Sequence, residues 1–250
     1  MCTVTWWLAP DLGGYELFFN RDERRSRGQA SFPGFADCRN EAYLAPTDAD
    51  HKGTWLLVNG HGVSLGLVNH YPPQSARGES PALSRGQLLR DLADVSSAAA
   101  VAERLAAAPL RRYAGFYLLA LGLREPPRRW RWDTHTLLDE TGVDPWPFLT
   151  SSSFRGAEIA AHRRELFGRM LAGKTTADPA QLEQFHRQRE AEQPAWGILM
   201  DRPDARTVSL SHLIVGPNDA AVFTYATRSS RDGAPPGPPF VSRLPVRRQR

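Results

Sequence analysis

Residues 1–23, MCTVTWWLAPDLGGYELFFNRDE, are the stretch that decides the fold. Two runs rich in β-branched and aromatic residues, CTVTWWLA and YELFFNRDE, flank the turn-forming DLGG, and this pattern predicts an antiparallel hairpin. Cys2 stands directly behind the initiator methionine. Removal of Met1 would put a thiol and a free α-amine on one residue, and an amine with a pKa of about 8 is a suitable base for such a thiol. The hairpin therefore raises the question of whether Cys2 is a buried apolar residue or a nucleophile.

The composition narrows the classes of function. The chain has 250 residues, of which 41% are hydrophobic, and a net charge of +4. Much of the positive charge lies in the final SRLPVRRQR, and the other arginines are mixed with acids, so we do not expect a nucleic-acid partner. The two cysteines form no CxxC or zinc pattern, and we expect no metal and no cofactor. No run approaches the ~18 apolar residues of a membrane span, and no signal peptide is evident, so the expected location is cytoplasmic.

The order of the remaining elements predicts the fold class. Residues 54–69 predict a second hairpin around Gly60 and Gly62, and residues 31–53 are expected to form a loop region. Helical patterns occur in consecutive pairs, at 84–108 and again at 156–190, rather than after each strand. This order favours an α+β fold of antiparallel sheets layered with helices over a doubly wound parallel sheet. Residues 1–231 are expected to form one domain, and the Pro- and Arg-rich residues 232–250 a flexible tail.

Four sequence elements occur in the order that is typical of one known family. They are the initial Met-Cys, the tetrad Asn20-Arg21-Asp22-Glu23, the triplet Gly53-Thr54-Trp55, and FLTSSSF at 148–154. The chain resembles the NRDE family, the homologues of the transport and Golgi organisation protein two, over about residues 1 to 228. That family is similar to the N-terminal-nucleophile (Ntn) hydrolases, whose cysteine branch includes bile-salt hydrolases and penicillin V acylases. The resemblance implies a four-layer αββα sandwich, in agreement with the paired helices.

The resemblance also implies a set of site residues. Cys2 would be the nucleophile, Arg21 and Asp22 would hold it, and Asn69 in GLVNHYP would help to form an oxyanion hole. Asn20 and Ser151 are expected to contact the substrate.

The chain departs from the cysteine branch at three points. Ser151 stands where that branch has a second oxyanion Asn, and Leu210 stands where it has a late Arg. The branch separates its Arg and Asp by two residues, whereas Arg21 and Asp22 are adjacent. Because a strand alternates its faces, the sequence leaves open whether Asp22 or Glu23 faces Cys2.

Each of these residues also has a structural interpretation. Cys2 could be a small buried apolar residue, the tetrad a turn with a local ion pair, and Asn69 the start of a turn. Two functions remain. The first is an N-terminal-cysteine amidohydrolase that cleaves a linear amide or acyl conjugate. The second is a non-catalytic protein on the same scaffold that binds or carries haem or a lipid metabolite, roles to which the resemblance also points. In both cases the partner is a small molecule, and the oligomeric state stays open.

Overall fold

The computed structural model describes residues 2–9, 13–72, 82–174, 176–216, 220–228 and 238–247. Within these ranges the strands are β1 (Cys2–Ala9), β2 (Gly14–Arg24), β3 (Gly34–Cys38), β4 (Glu41–Ala45), β5 (Leu56–Asn59), β6 (Ser64–Asn69), β7 (Phe116–Leu121), β8 (Arg128–Trp132), β9 (Leu137–Asp139), β10 (Phe148–Ser151), β11 (Ala205–Val215), β12 (Ala220–Thr227) and β13 (Phe240–Pro245). The helices are α1 (Arg85–Asp91), α2 (Val101–Ala107), α3 (Gly156–Leu171) and α4 (Pro179–His186).

The predicted first hairpin lies at the centre of one antiparallel sheet, which we call the first sheet. Its strand order is β10-β1-β2-β11-β12-β13. β1 pairs with β2 from Cys2 opposite Arg21 to Ala9 opposite Gly14, so the start of β1 meets the tetrad near the end of β2. Both strands are almost wholly buried, because each has neighbours on both edges and packed layers on both faces.

The second sheet is also antiparallel, with the order β3-β4-β5-β6-β7-β8-β9. It contains the second predicted hairpin, β5–β6. The expectation of a loop over residues 31–53 was wrong in part, because β3 and β4 form a further hairpin within it. Its two-residue turn, Arg39–Asn40, has positive φ at both positions, the conformation that joins antiparallel strands most tightly. Nearby Pro33 and Gly34 obscured this strand pattern in the sequence.

Three apolar clusters hold four layers together. The first lies between the two sheets and includes Val4, Phe19, Leu56 and Leu119. A second joins α1 and α2 to the outer face of the second sheet, and a third joins α3 and α4 to the outer face of the first sheet. The structure therefore confirms the α+β, four-layer αββα sandwich.

The outer helices follow the sequence pattern closely. On α3 the apolar residues Ile159, Leu166 and Phe167 are buried, as their helical spacing predicts. At the start of α4, Asp178 accepts a hydrogen bond from the Gln181 N–H in a complete capping box. Among the described residues, no helix is both long enough and apolar enough to cross a membrane.

The expected flexible tail is corrected over six residues. Phe240–Pro245 forms β13, which pairs with β12 at the edge of the first sheet. Its alternating FVSRLP pattern supplies one buried apolar residue, Leu244, to the core. Residues 232–237 and 248–250 lie outside the described residues.

Candidate active site

Cys2 occupies the start of a central strand and faces the second sheet. Its Cα pairs with those of Arg21 on β2 and Ser151 on β10. Since directly paired residues of antiparallel strands share a face, these three side chains project to the same side of the sheet. Cys2 is buried, with 7% of its surface exposed, and it packs in the core between the two sheets.

A pocket of about 380 Å³ opens at Cys2. Its walls come from the tetrad end of β2, the segment before β5, the end of β6 and the start of α1. The lining residues are Cys2, Arg21, Asp22, Glu23, Arg27, Asp48, His51, Gly53, Thr54, Trp55, Leu67, Asn69, Ala82, Leu83, Ser84, Arg85, Gly86 and Ala114. Of the residues predicted for the site, the structure brings Cys2, Arg21, Asp22 and Asn69 to this pocket.

Arg21 is held rigidly beside the pocket. Its Nη2 donates to Asp48 Oδ2 at 2.5 Å and to Glu23 Oε2 at 3.2 Å. Its guanidinium also lies over the Trp55 ring, 4.0 Å from the ring centroid. The pKa of Asp48 lies below its ordinary value. Burial raises this pKa, but backbone N–H donors and the charges of Arg21 and Arg27 together lower it by a larger amount. A fixed cation therefore stands on the same face as the Cys2 thiol.

The Gly53-Thr54-Trp55 triplet shapes the opposite wall. A Cβ on Gly53 would lie 2.6 Å from the carbonyl carbon of Gly86, so only glycine allows this loop to approach the start of α1. The Thr54 N–H donates to the Gly86 carbonyl at 3.2 Å and fixes that approach. Trp55 then meets Arg21 across the sheets. The sequence identified Trp55 as part of the triplet but did not predict its contact with Arg21.

The structure answers the question about the tetrad. Arg21 and Glu23 project towards the pocket, while Asp22 projects to the other face, towards α3. Asp22 Oδ1 accepts a hydrogen bond of 2.6 Å from Thr207 Oγ1, and Asp22 Oδ2 lies 3.6 Å from Arg163 Nη1 without a hydrogen-bond partner. The pairing of Cys2 with Arg21 places Asp22 one position beyond the start of β1, and the Asp22 backbone N–H donates a hydrogen bond to the Cys2 thiol.

Arg163 is a supporting residue that sequence reasoning missed. It lies on α3 with 0% of its side chain exposed, and it donates to Thr3 Oγ1 at 3.1 Å and to Thr150 Oγ1 at 3.2 Å. These contacts tie β1, β10 and Asp22 to the helix layer. The available signal was weak: an arginine spaced with Ile159 and Phe167 on the apolar side of the helix.

Two opposing influences act on the Cys2 thiol. Burial raises its pKa above the ordinary value for cysteine. The negative charge of Asp22 also raises that pKa, whereas the charge of the amino terminus, a hydrogen bond from the Asp22 backbone N–H and the charge of Arg21 lower it by a smaller amount. The thiol of this chain is therefore mostly protonated at neutral pH, and it needs a nearby base to become a nucleophile.

Asn69 and Ser151, two further residues predicted for the site, lie in different positions relative to the pocket. Asn69 lies at the end of β6 in the pocket wall, and its Nδ2 donates to Tyr71 Oη at 3.1 Å. Ser151 lies beside Cys2, but it is not among the residues that line the pocket, and its buried Oγ has no hydrogen-bond partner among the residues that the structure describes.

The expectation that Asn20 contacts the substrate is corrected. Asn20 is fully buried on the helix-facing side of β2, where its Nδ2 donates to the carbonyls of His186 and Ile198. The alternation of the strand separates it from the pocket by the sheet itself. In the described part of the chain, no cluster of His, Cys, Asp or Glu could hold a metal ion.

Comparison with known proteins agrees with this architecture. The family model described as Transport and Golgi organisation 2 matches residues 1–231. No curated protein matches the chain.

Three solved structures illustrate the similarity of fold. A mutant of the conjugated bile acid hydrolase from Clostridium perfringens is 13% identical, with a TM-score of 0.55 over 91% of this chain and 89% of that one. Penicillin V acylase from Agrobacterium tumefaciens is 12% identical, with a TM-score of 0.57 over 90% and 83%. The Caenorhabditis elegans ortholog of N-acylethanolamine-hydrolyzing acid amidase is 9% identical, with a TM-score of 0.53 over 85% and 92%. At these identities the likeness establishes a shared Ntn-hydrolase-like fold.

Proposed function

The chain belongs to the Transport and Golgi organisation 2 family, and from this premise we propose that it is an amide hydrolase whose nucleophile is Cys2 after removal of Met1. Its substrate would be a small linear amide or acyl conjugate. Structural neighbours that are named as a hydrolase, an acylase and an amidase give the scaffold a precedent for this chemistry.

The observation that carries the proposal is the unsatisfied oxygen of Asp22. A buried carboxylate oxygen without a hydrogen-bond partner among the described residues is costly, because it has lost its water and its paired cation, Arg163 Nη1, lies 3.6 Å away. Asp22 follows the residue that pairs with Cys2, and its backbone N–H donates a hydrogen bond to Cys2, so we assign its carboxylate as the acidic group nearest in sequence to act on the backbone nitrogen of Cys2. Removal of Met1 would turn that nitrogen into an ammonium group able to donate to Asp22. In this proposal Asp22 is the acceptor that a free N-terminal cysteine requires.

The proposed reaction has two stages. The neutral α-amine of Cys2 takes the thiol proton, directly or through a water, and the thiolate attacks the substrate carbonyl carbon. Asn69 and a backbone N–H donate to the oxyanion that develops. The C–N bond then breaks, the leaving amine takes a proton from the Cys2 ammonium, and a thioester remains on Sγ. A water attacks the thioester, its proton returns to the α-amine, and cleavage of the C–S bond releases the carboxylic acid.

In this scheme the neighbouring residues position and polarise the nucleophile. Arg21, fixed by Asp48 and Trp55, would stabilise the thiolate. Asp22, fixed by Thr207 and Arg163, would orient the amine. A reducing, cytoplasmic location would keep the thiol free.

A second candidate function is favoured by two specific observations. The pKa of the Cys2 thiol is raised by burial, and Ser151 replaces the second oxyanion Asn of the cysteine branch without lining the pocket. A site with these features would suit a protein that binds a small ligand, such as haem or a lipid metabolite, without cleaving it.

Mass spectrometry of the purified full chain tests the proposal. We expect the intact mass to lack one methionine, and we expect iodoacetamide at pH 7 to modify Cys2 much faster than the unstructured cysteine of a control peptide. Cys38 is partly exposed and serves as an internal reference in the same peptide map. The variant Cys2→Ser should lose this fast modification and keep that of Cys38. Retention of Met1, or a Cys2 that reacts no faster than the peptide, would favour the binding function.

A further inference from the structure

Three arginines line the pocket at Cys2, and they differ in their counter-charges. Arg21 is paired with Asp48, and Arg27 is paired with Asp48 at 2.5 Å and Asp50 at 3.1 Å. Arg85 makes no ion pair with a carboxylate in the part of the chain that the structure describes. Among the described residues, Arg85 is therefore the pocket arginine that has no carboxylate as its counter-charge.

The position of Arg85 is fixed at two points. Its Nη1 donates to the Gly115 carbonyl at 2.8 Å, so one edge of the guanidinium is anchored to the backbone. The adjacent Gly86 packs against the Gly53–Thr54 backbone, where a Cβ on Gly86 would lie 2.7 Å from the Thr54 nitrogen. Since a guanidinium has five N–H donors, this anchoring leaves donors for a ligand in the pocket.

The surroundings of Arg85 favour an anion. Burial lowers the pKa of its guanidinium, and among the described residues the negative charges of Tyr71, Cys2 and Glu23, when ionised, oppose that effect. Glu23 is already shared between Arg21 and Arg27. A half-buried cation without its own counter-charge has lost part of its hydration, and a bound anion would compensate for that loss.

From this arrangement we propose that the pocket selects small amides that carry a carboxylate close to the scissile bond, and that Arg85 binds that carboxylate. The proposal rests on the proposed function for the cleavage step, and it adds the class of substrate. An N-acyl amino acid has the required chemistry, because its carboxylate lies one carbon away from the amide nitrogen. The corresponding neutral N-acyl amine lacks the group that Arg85 would bind.

The first test compares two alkylating reagents that differ only in charge. In both, the Cys2 thiolate displaces iodide and a C–S bond replaces the C–I bond, but iodoacetate carries a carboxylate where iodoacetamide carries a neutral amide. We expect the ratio of the iodoacetate rate to the iodoacetamide rate at Cys2 to fall about 10-fold in Arg85→Gln, since a charge-assisted hydrogen bond is lost. The same ratio at Cys38 should not change.

Two further variants separate binding from other effects. Arg85→Lys keeps the charge but loses the planar fork, and we expect an intermediate ratio. Arg111→Gln removes an exposed arginine that does not line the pocket, and we expect the wild-type ratio. If Arg85→Gln slows both reagents equally, Arg85 acts on the thiol rather than on a bound carboxylate, and the proposal is wrong.

The second test does not depend on a reactive Cys2. In the Cys2→Ser background, isothermal titration calorimetry would compare N-acetylglycine with the neutral N-acetylglycinamide. We expect at least about 10-fold tighter binding of the acid, and loss of that preference when Arg85→Gln is added. Equal binding of the two compounds would overturn the carboxylate proposal even if Cys2 proves to be a nucleophile. If the acid binds more tightly but Cys2 proves unreactive, the proposed hydrolase function is wrong and the proposed carboxylate site at Arg85 stands.

Discussion

The two faces of strand β2 at the tetrad meet different surroundings. Arg21 and Glu23 face the pocket, where their ion pairs border open space and the Glu23 side chain is 22% exposed. Asn20 and Asp22 face the helix layer, where the Asp22 and Arg163 side chains are both 0% exposed. We call these the pocket face and the closed face.

This difference shows that the four tetrad residues do not form one cluster. Because side chains alternate along the strand, two of these residues point into the pocket and the other two pack against the helix layer behind it. Asp22 connects the two faces, because its side chain belongs to the closed face while its backbone N–H donates to the Cys2 thiol. Changes on the closed face should therefore alter stability, and changes on the pocket face should alter reactivity.

The largest effect is expected from Arg163→Met on the closed face. This variant leaves the Asp22 carboxylate buried without its nearest cation, and the loss of one partner of a buried ion pair costs about 3–5 kcal/mol. Urea denaturation followed by circular dichroism at pH 7 would measure this as a fall in the free energy of unfolding.

The neighbouring residue supplies the matched control. Arg164 pairs with Asp144 and lies over the Trp146 ring, but its side chain is 43% exposed. We expect Arg164→Met to cost no more than about 1 kcal/mol, because exposed ion pairs contribute little. Similar losses in the two variants would contradict the distinction between the faces.

Asn69→Ala tests the pocket face. If Asn69 donates to the oxyanion, acylation of Cys2 by p-nitrophenyl acetate should slow by about 10²-fold, the usual effect of losing one such donor. Alkylation by iodoacetamide passes through no oxyanion and should change by less than about threefold. Stopped-flow absorbance and peptide mapping would give the two rates. An equal decrease in both would mean that Asn69 shapes the pocket and does not act on the transition state.

The layers could be predicted from the sequence because the spacing of apolar residues along each strand and helix indicates which face is buried. The β1–β2 hairpin and the paired helices follow from local patterns. The site was predictable only where motif order placed residues together, as with Cys2, Arg21 and Asn69. Arg85 and Arg163 escaped prediction, because only the packed structure shows which arginine lacks a counter-charge and which is fully buried. Asn20 was misplaced because family likeness says nothing about the face on which a residue lies.

The closed face should also make stability depend on pH through His186. This residue is fully buried, its Nε2 lies 3.0 Å from Thr5 Oγ1, and its Nδ1 has no hydrogen-bond partner within the described part of the chain. Burial lowers its pKa to about 3 in the folded chain. Between an unfolded pKa of about 6.5 and that value, the unfolded state binds a proton that the folded state does not bind.

The free energy of unfolding should therefore fall with decreasing pH by at most about 1.4 kcal/mol per unit from this residue. Above pH 7 its contribution should be constant. Urea denaturation at pH 7, 6, 5 and 4 would measure the slope of the free energy of unfolding against pH. In His186→Gln this slope should be smaller by nearly the amount that one bound proton contributes, about 1.4 kcal/mol per pH unit. If the dependence of the free energy of unfolding on pH is unchanged in this variant, His186 is protonated in the folded chain, and the closed face accommodates a charged imidazolium.

The smallest effect is expected from Ser151→Ala, at the boundary between the faces. Ser151 lies directly across from Cys2, yet its buried Oγ has no partner and it does not line the pocket. Removal of an unsatisfied hydroxyl removes its desolvation cost, so the free energy of unfolding should stay the same or rise by up to about 1 kcal/mol. Acylation by p-nitrophenyl acetate should change by less than about threefold, in contrast to Asn69→Ala. A decrease of about 10²-fold would instead make Ser151 the second oxyanion donor, and the pocket face would then extend across β1 to β10.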